Sequence, residues 1–119
     1  MIGGKKMSKM REFKTGATRD IVEGKLDYEG FFHPLVLEEF AKYMEKNRHT
    51  ANGVRESDNW QKGIPLETYM KSLFRHFMAV WKEHRGIKTE DGIMSALMGV
   101  MFNSMGMAYE LLKKEGDRK

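Results

Sequence analysis

From Pro34 onward, apolar residues return every three or four positions, in stretches separated by polar or glycine-bearing segments. That spacing predicts amphipathic helices. The first stretch is Pro34–Arg48, where Leu37, Phe40, Ala41 and Met44 fall at i, i+3, i+4 and i+7. Pro34 suits a first helical turn, where its missing N–H costs no hydrogen bond. Glu38 and Lys42 form a supporting i, i+4 pair on the wetter side. The second stretch runs from Pro65 to Arg85 and is stopped by Gly86. Its expected buried stripe is Leu66, Tyr69, Leu73, Phe77, Val80 and Trp81, with His84, and Ser72, His76, Ala79 and Glu83 form a second line beside it. Lys71 and Arg75 are like-charged i, i+4 neighbours.

The third stretch, Glu90 to Lys114, is the most informative. Met94, Met98, Met101 and Met105 recur along one line, continued by Ala108 and Leu112, while Ile93, Leu97, Val100 and Phe102 carry apolar character most of the way round. A helix wet on one side is not written this way, so the pattern calls for burial at a bundle centre or a cover from another subunit. Beside the methionines runs a narrow line of Ser95, Gly99, Asn103 and Gly106. Glycine costs a helix about 1 kcal/mol against alanine, so two of them imply close approach by another backbone or a ligand.

No segment alternates convincingly at period two. Lys25–His33 reads as an aromatic-rich irregular lead-in, with Tyr28, Phe31 and Phe32 as candidates for a brief strand pairing. Between Asn47 and Gly63 lies a polar connector of 17 residues containing the turn signal Asn52-Gly53. Connections that long are functional or disordered, and Trp60 in so polar a setting argues against disorder. The fold class is therefore all-α. Three helices make a thin bundle with an exposed apolar seam, and the eleven methionines and seven phenylalanines point to completion by self-association.

Composition narrows the chemistry. At 119 residues the chain holds one core, and zero cysteines exclude a disulfide framework, a thiolate zinc site and a cysteine nucleophile. The nearly apolar run Ile93–Ala108 has 16 residues with polar and glycine interruptions, short of the roughly 18 apolar residues of a membrane span. The opening MIGGKKMSKM lacks an apolar secretion core, so a cytoplasmic location is expected, a host cytoplasm if the chain is phage-encoded. Net charge is +4, yet residues 1–19 alone carry +5. Residues 1–14 read as a basic, flexible arm before a single domain at 15–119; such a tail attracts phosphate or RNA, or is simply solvated. The arm lacks interleaved aromatics and the body lacks a basic face, which argues against nucleic acid as the main partner.

The four histidines, His33, His49, His76 and His84, include no i, i+3 or i, i+4 pair, so no zinc site is expected and His76 reads as a hydrogen-bonded wall residue. Magnesium chemistry needs converging carboxylates. Glu38 and Glu39 are adjacent on the first helix and equally suit a solvated face, and the third helix has no acid between Asp91 and Glu110. The connector is better supplied for phosphate: Asp58, Asn59, Trp60, Gln61 and Lys62 bring an acceptor, an amide, a stacking face and a cation, with Lys71 and Arg75 able to project towards the same mouth. Trp60 either stacks on a base or pins the loop to the core. No phosphate-binding glycine loop, dinucleotide fingerprint or serine with a plausible base occurs.

The segments GATRDIVEGKLDYEGFFHPLVLEEFAKYM, SDNWQKGIP and YMKSLFRHFMAVWKEHRG resemble the phage-associated dATP/dGTP diphosphohydrolase family, which belongs with the all-α, MazG-like nucleotide pyrophosphohydrolases. The resemblance spans Thr15 to Leu112. It implies an oligomeric helical fold that cleaves a purine deoxynucleoside triphosphate to monophosphate and pyrophosphate with Mg²⁺ held by helix carboxylates. Where close relatives carry an acid after RHFM, an acidic pair in the last helix and a histidine before its final glutamate, this chain has Ala79, Met94 and Ser95, and Tyr109. None of these suits a metal or a proton transfer at neutral pH.

The residues that suit nucleotide binding are kept. The candidate ligand-binding set is Arg19, Lys25, Asp58, Asn59, Trp60, Lys62, Lys71, Arg75, His76 and Asn103. The small line at Ser95, Gly99 and Asn103 is expected to leave room where cations would sit. The leading expectation is a protein that binds a purine nucleotide or a nucleotide-derived signal without cleaving it, with no catalytic residues, no cofactor and no membrane partner. In a phage this would fit sequestration of a host immune messenger. The alternatives are an active Mg²⁺-dependent diphosphohydrolase holding its ion with Glu38, Glu39 and another subunit's acids, and a helical interaction module.

Overall fold

The computed structural model describes residues 10–20 and 24–117. The chain divides into two compact units, Met1–His33 and Pro34–Lys119. In the first, β1 (Met10–Glu12) pairs antiparallel with β2 (Thr18–Asp20), Arg11 opposite Arg19. This hairpin straddles the expected end of the arm at residue 14; residues 1–9 lie outside the described ones. The aromatic lead-in is a short helix, α1 (Tyr28–Phe31), and not a strand pairing. Asp27 caps it by accepting a hydrogen bond from the Gly30 N–H at 2.9 Å, the usual way a helix start satisfies its free donors.

The second unit contains the three expected helices with ends within three residues of the expected ones: α2 (Pro34–Asn47), α3 (Leu66–His84) and α4 (Gly92–Asp117). Gly86 ends α3 at φ +83°, with its N–H on the Glu83 carbonyl and the Ile87 N–H on the Lys82 carbonyl. That is the Schellman arrangement, in which glycine takes the left-handed position. The connector is ordered into a hairpin, β3 (His49–Thr50) with β4 (Gly53–Val54), followed by a 3₁₀ turn at Asn59–Lys62. The Thr50 hydroxyl donates to the Gly53 carbonyl at 2.8 Å and accepts from the Asn52 N–H at 3.2 Å.

Which faces are buried differs from the periodicity. α3 packs along α4, and the buried apolar residues are Tyr69, Ala96 and Met98. The α3 face turned inward carries Tyr69, Ser72, Leu73, His76, Ala79, Val80 and Glu83, while Phe77, Trp81 and His84 are exposed. On α4 the buried line is Ala96, Gly99, Asn103 and Gly106, and of the methionines only Met98 is fully buried. The reason is steric. A Cβ on Gly99 would collide with the His76 ring, and one on Gly106 with the Tyr69 ring. The close approach is thus made by two α3 side chains, not by a backbone or a ligand. On α2 the half-buried side is Glu39, Phe40, Tyr43 and Met44, with Leu37 and Ala41 exposed. Lys42 pairs with Glu39 at 3.6 Å in place of Glu38.

Candidate functional site

Within the second unit, α2, the β3–β4 hairpin, the segment through the 3₁₀ turn, α3 and α4 enclose a recess of about 310 Å³, in the size range of small-molecule sites. Its most buried lining residue is Asn103, 3% exposed. The Asn103 Nδ2 donates to the Gly99 carbonyl at 2.7 Å. A carbonyl accepts only from the amide NH₂, so this bond fixes the amide orientation and leaves Oδ1 as an acceptor. Ser72 and His76 line the recess from α3, and Phe102 from α4. Burial holds the His76 imidazole below its ordinary pKa, the charge of Arg75 adds to this, and Asp91 opposes it. Burial and Asp91 together raise the Tyr43 phenol on the α2 side.

Trp60 forms a wall. It makes edge-to-face contacts with Phe102 at 6.0 Å and Tyr109 at 5.2 Å between ring centroids. The tryptophan therefore pins the connector to α4 and lines the recess at once. Tyr109 also takes the Lys113 ammonium over its ring at 5.2 Å. Asn59 lines the recess beside Trp60, and Asn47, Arg48, Arg55, Glu56 and Ser57 complete its polar side. Hydrogen bonds from His49 and Arg48 hold the Glu45 carboxyl below its usual range, which ties the start of the hairpin to the end of α2.

Of the candidate ligand-binding residues, the recess brings together Asn59, Trp60, His76 and Asn103. Asp58 and Lys62 flank them on the 3₁₀ turn, exposed and outside the lining. Lys71 and Arg75 are exposed on another face of α3, Lys71 paired with Glu67 at 3.3 Å. Arg19 and Lys25 are exposed in the first unit. The sequence reading missed Arg48 and Arg55. Their pairing follows from a turn centred on Ala51-Asn52, one residue before the Asn52-Gly53 signal, so the sequence signal by itself would have set a different register.

Within one chain, the described residues bring no cluster of carboxylates to the recess for the Mg²⁺ that the family resemblance implies. Glu38 and Glu39 project about 100° apart around α2, as adjacent helical residues must. Glu39 is engaged by Lys42, and neither glutamate lines the recess. The one lining carboxylate is Glu56. Among the described residues no three histidine, aspartate or glutamate side chains converge. Nor is any described helix long and apolar enough to cross a membrane.

A family model described as dATP/dGTP diphosphohydrolase, N-terminal, matches residues 15–119. Comparison with curated proteins and with solved structures finds no match. The helical architecture agrees with the mostly all-α, MazG-like fold that the resemblance implies. The match takes in α1 to α4 and every residue of the recess, and on that extent the chain belongs to the dATP/dGTP diphosphohydrolase N-terminal family.

Proposed function

We infer that the protein binds a purine nucleotide, or a small molecule derived from one, without cleaving it. The observation that carries this reading is the make-up of the recess: an aromatic wall, a buried amide of fixed orientation, two arginines and a single carboxylate. Trp60 and Phe102 supply apolar faces for a base, and the Asn103 Oδ1 supplies an acceptor for a base N–H. One lining carboxylate, Glu56, is fewer than the converging acidic side chains from which a metal-dependent diphosphohydrolase would build its ion site. The decisive experiment incubates the protein with dATP or dGTP and Mg²⁺ and follows pyrophosphate. The expected result is intact nucleotide, with calorimetric binding that persists in EDTA. Turnover that disappears on Glu38→Ala would refute the reading in favour of an active diphosphohydrolase.

The same reading has the chain self-associate. Met70, Phe74, Phe77, Met78 and Trp81 form an exposed stripe at helical spacing on α3, with Phe74 at 64% and Phe77 at 53% exposure. On α4, Ile93, Met94, Leu97 and Met105 are exposed as well. Apolar residues so aligned on a surface mark an interface. Light scattering during size-exclusion chromatography should give a mass of two or more chains.

A further inference from the structure

We propose that the β3–β4 hairpin is an anion-binding arm, with Arg55 and Arg48 receiving the phosphate end of the ligand; this rests on the nucleotide-binding reading above. The hairpin register pairs His49 with Val54 and Thr50 with Gly53. One step further along the same ladder, the Arg55 N–H donates to the Arg48 carbonyl at 2.8 Å. Arg48 and Arg55 therefore stand opposite each other, and opposed residues of an antiparallel pair share a face. Here both line the recess. Like charges directly opposed are destabilising unless something answers them.

Only one of the two is answered. The Arg48 Nη1 meets Glu45 at 3.0 Å and 3.3 Å, and its Nε donates to the Arg55 carbonyl at 2.9 Å. Glu45 is shared with His49, whose Nε2 lies 3.0 Å from it. Arg55 is exposed and, among the described residues, has no ion-pair partner, although Glu56 follows it in the chain and lines the same recess. One guanidinium is thus locked across the hairpin with its Nη2 uncommitted, and the other stands free beside it. The planar fork of arginine matches phosphoryl oxygens through paired N–H bonds. Elsewhere in the lining, Trp60, Phe102 and Asn103 suit an uncharged flat group. The recess is therefore polarised, with the base held on the α4 side and the phosphates on the hairpin.

The test uses calorimetry in EDTA at fixed ionic strength, with tripolyphosphate, deoxyadenosine and dATP as separate probes. Tripolyphosphate reads the hairpin alone, and deoxyadenosine reads the aromatic end alone. Arg55→Gln should weaken tripolyphosphate and dATP roughly ten- to a hundred-fold, the span of one lost charged hydrogen-bonding group, and leave deoxyadenosine unchanged. Arg55→Lys should fall between, because a point charge replaces the fork. The hairpin assignment is overturned if wild type does not bind tripolyphosphate, if Arg55→Gln binds it as wild type does (as the basic residues before Asp20 alone would), or if the variant loses deoxyadenosine equally. Failure of deoxyadenosine to bind wild type refutes the nucleotide reading and leaves the hairpin to be judged on tripolyphosphate.

Discussion

Replacing Gly106 by alanine tests the helix packing on which the recess depends. The new methyl would lie well inside 3.0 Å of the Tyr69 ring, a distance that real Cβ contacts respect. Tyr69 is 2% exposed and also packs edge-to-face on Phe102 at 5.8 Å. A rigid ring held on both sides has no rotamer to escape into, so α3 and α4 must separate. Overpacking of this kind costs up to about 3 kcal/mol, while alanine returns about 1 kcal/mol of helix propensity. The net expectation is a loss of about 2 kcal/mol. At a typical urea m-value, that lowers the unfolding midpoint by about 1 M. The assay is urea unfolding followed by far-ultraviolet circular dichroism at one fixed protein concentration, since self-association makes stability concentration-dependent. Gly116→Ala is the control, because nothing lies within 4 Å of the methyl it would add; it should be neutral or slightly stabilising. If Gly106→Ala is as stable as wild type or more so, the close helix contact is refuted.

Gly99→Ala would drive its methyl into the His76 ring, but His76 borders the recess and has room to move. A loss of about 1 kcal/mol is expected, with a clear weakening of dATP binding by calorimetry. Trp60→Ala removes two ring contacts from a half-buried residue. It should cost about 2–3 kcal/mol in urea unfolding and abolish base binding, whereas Trp60→Phe should recover most of the stability. His76 is held below its ordinary value of 6.5, chiefly by burial. Its contribution is therefore complete above pH 6.5 and is lost as pH falls through its lower folded value, because the unfolded chain takes up the proton first. Unfolding midpoints measured from pH 7.5 down to 5 should show this decline, and His76→Gln should flatten it. Phe74→Glu and Phe77→Glu together should shift the scattering mass towards a single chain, with little change in helix content.

Much of the architecture was legible as spacing. Apolar residues three and four apart, Pro34 at one helix start and Gly86 at one helix end mark segments through local sterics and hydrogen bonding, which need no distant partner. The connector was harder to read, because its order comes from contacts far away in the chain. Trp60 reaches Phe102 and Tyr109, and the Ile64 N–H donates to Glu110 at 3.4 Å. Asn59 and Trp60 were identifiable as candidates by residue type and Asn103 by the family resemblance, and the structure brings them to one recess with His76 as a wall residue. Lys71 and Arg75 share their helix with His76 but point elsewhere, since a shift of one residue turns a side chain by about 100°.

The chain's own sequence determined its family, its all-α class and the extents of its helices, because those follow from local spacing and from a long run of matching residues. Tertiary packing decided which faces meet. The methionine line is the more hydrophobic on α4, yet the line through Gly99 and Gly106 is buried against α3, because only there do His76 and Tyr69 find space. Hydrophobicity is non-directional and ranks faces only by area, whereas close packing excludes any face whose side chains would overlap. The pairing of Arg48 with Arg55 was likewise decided by register, a relation between two strands that neither residue carries alone.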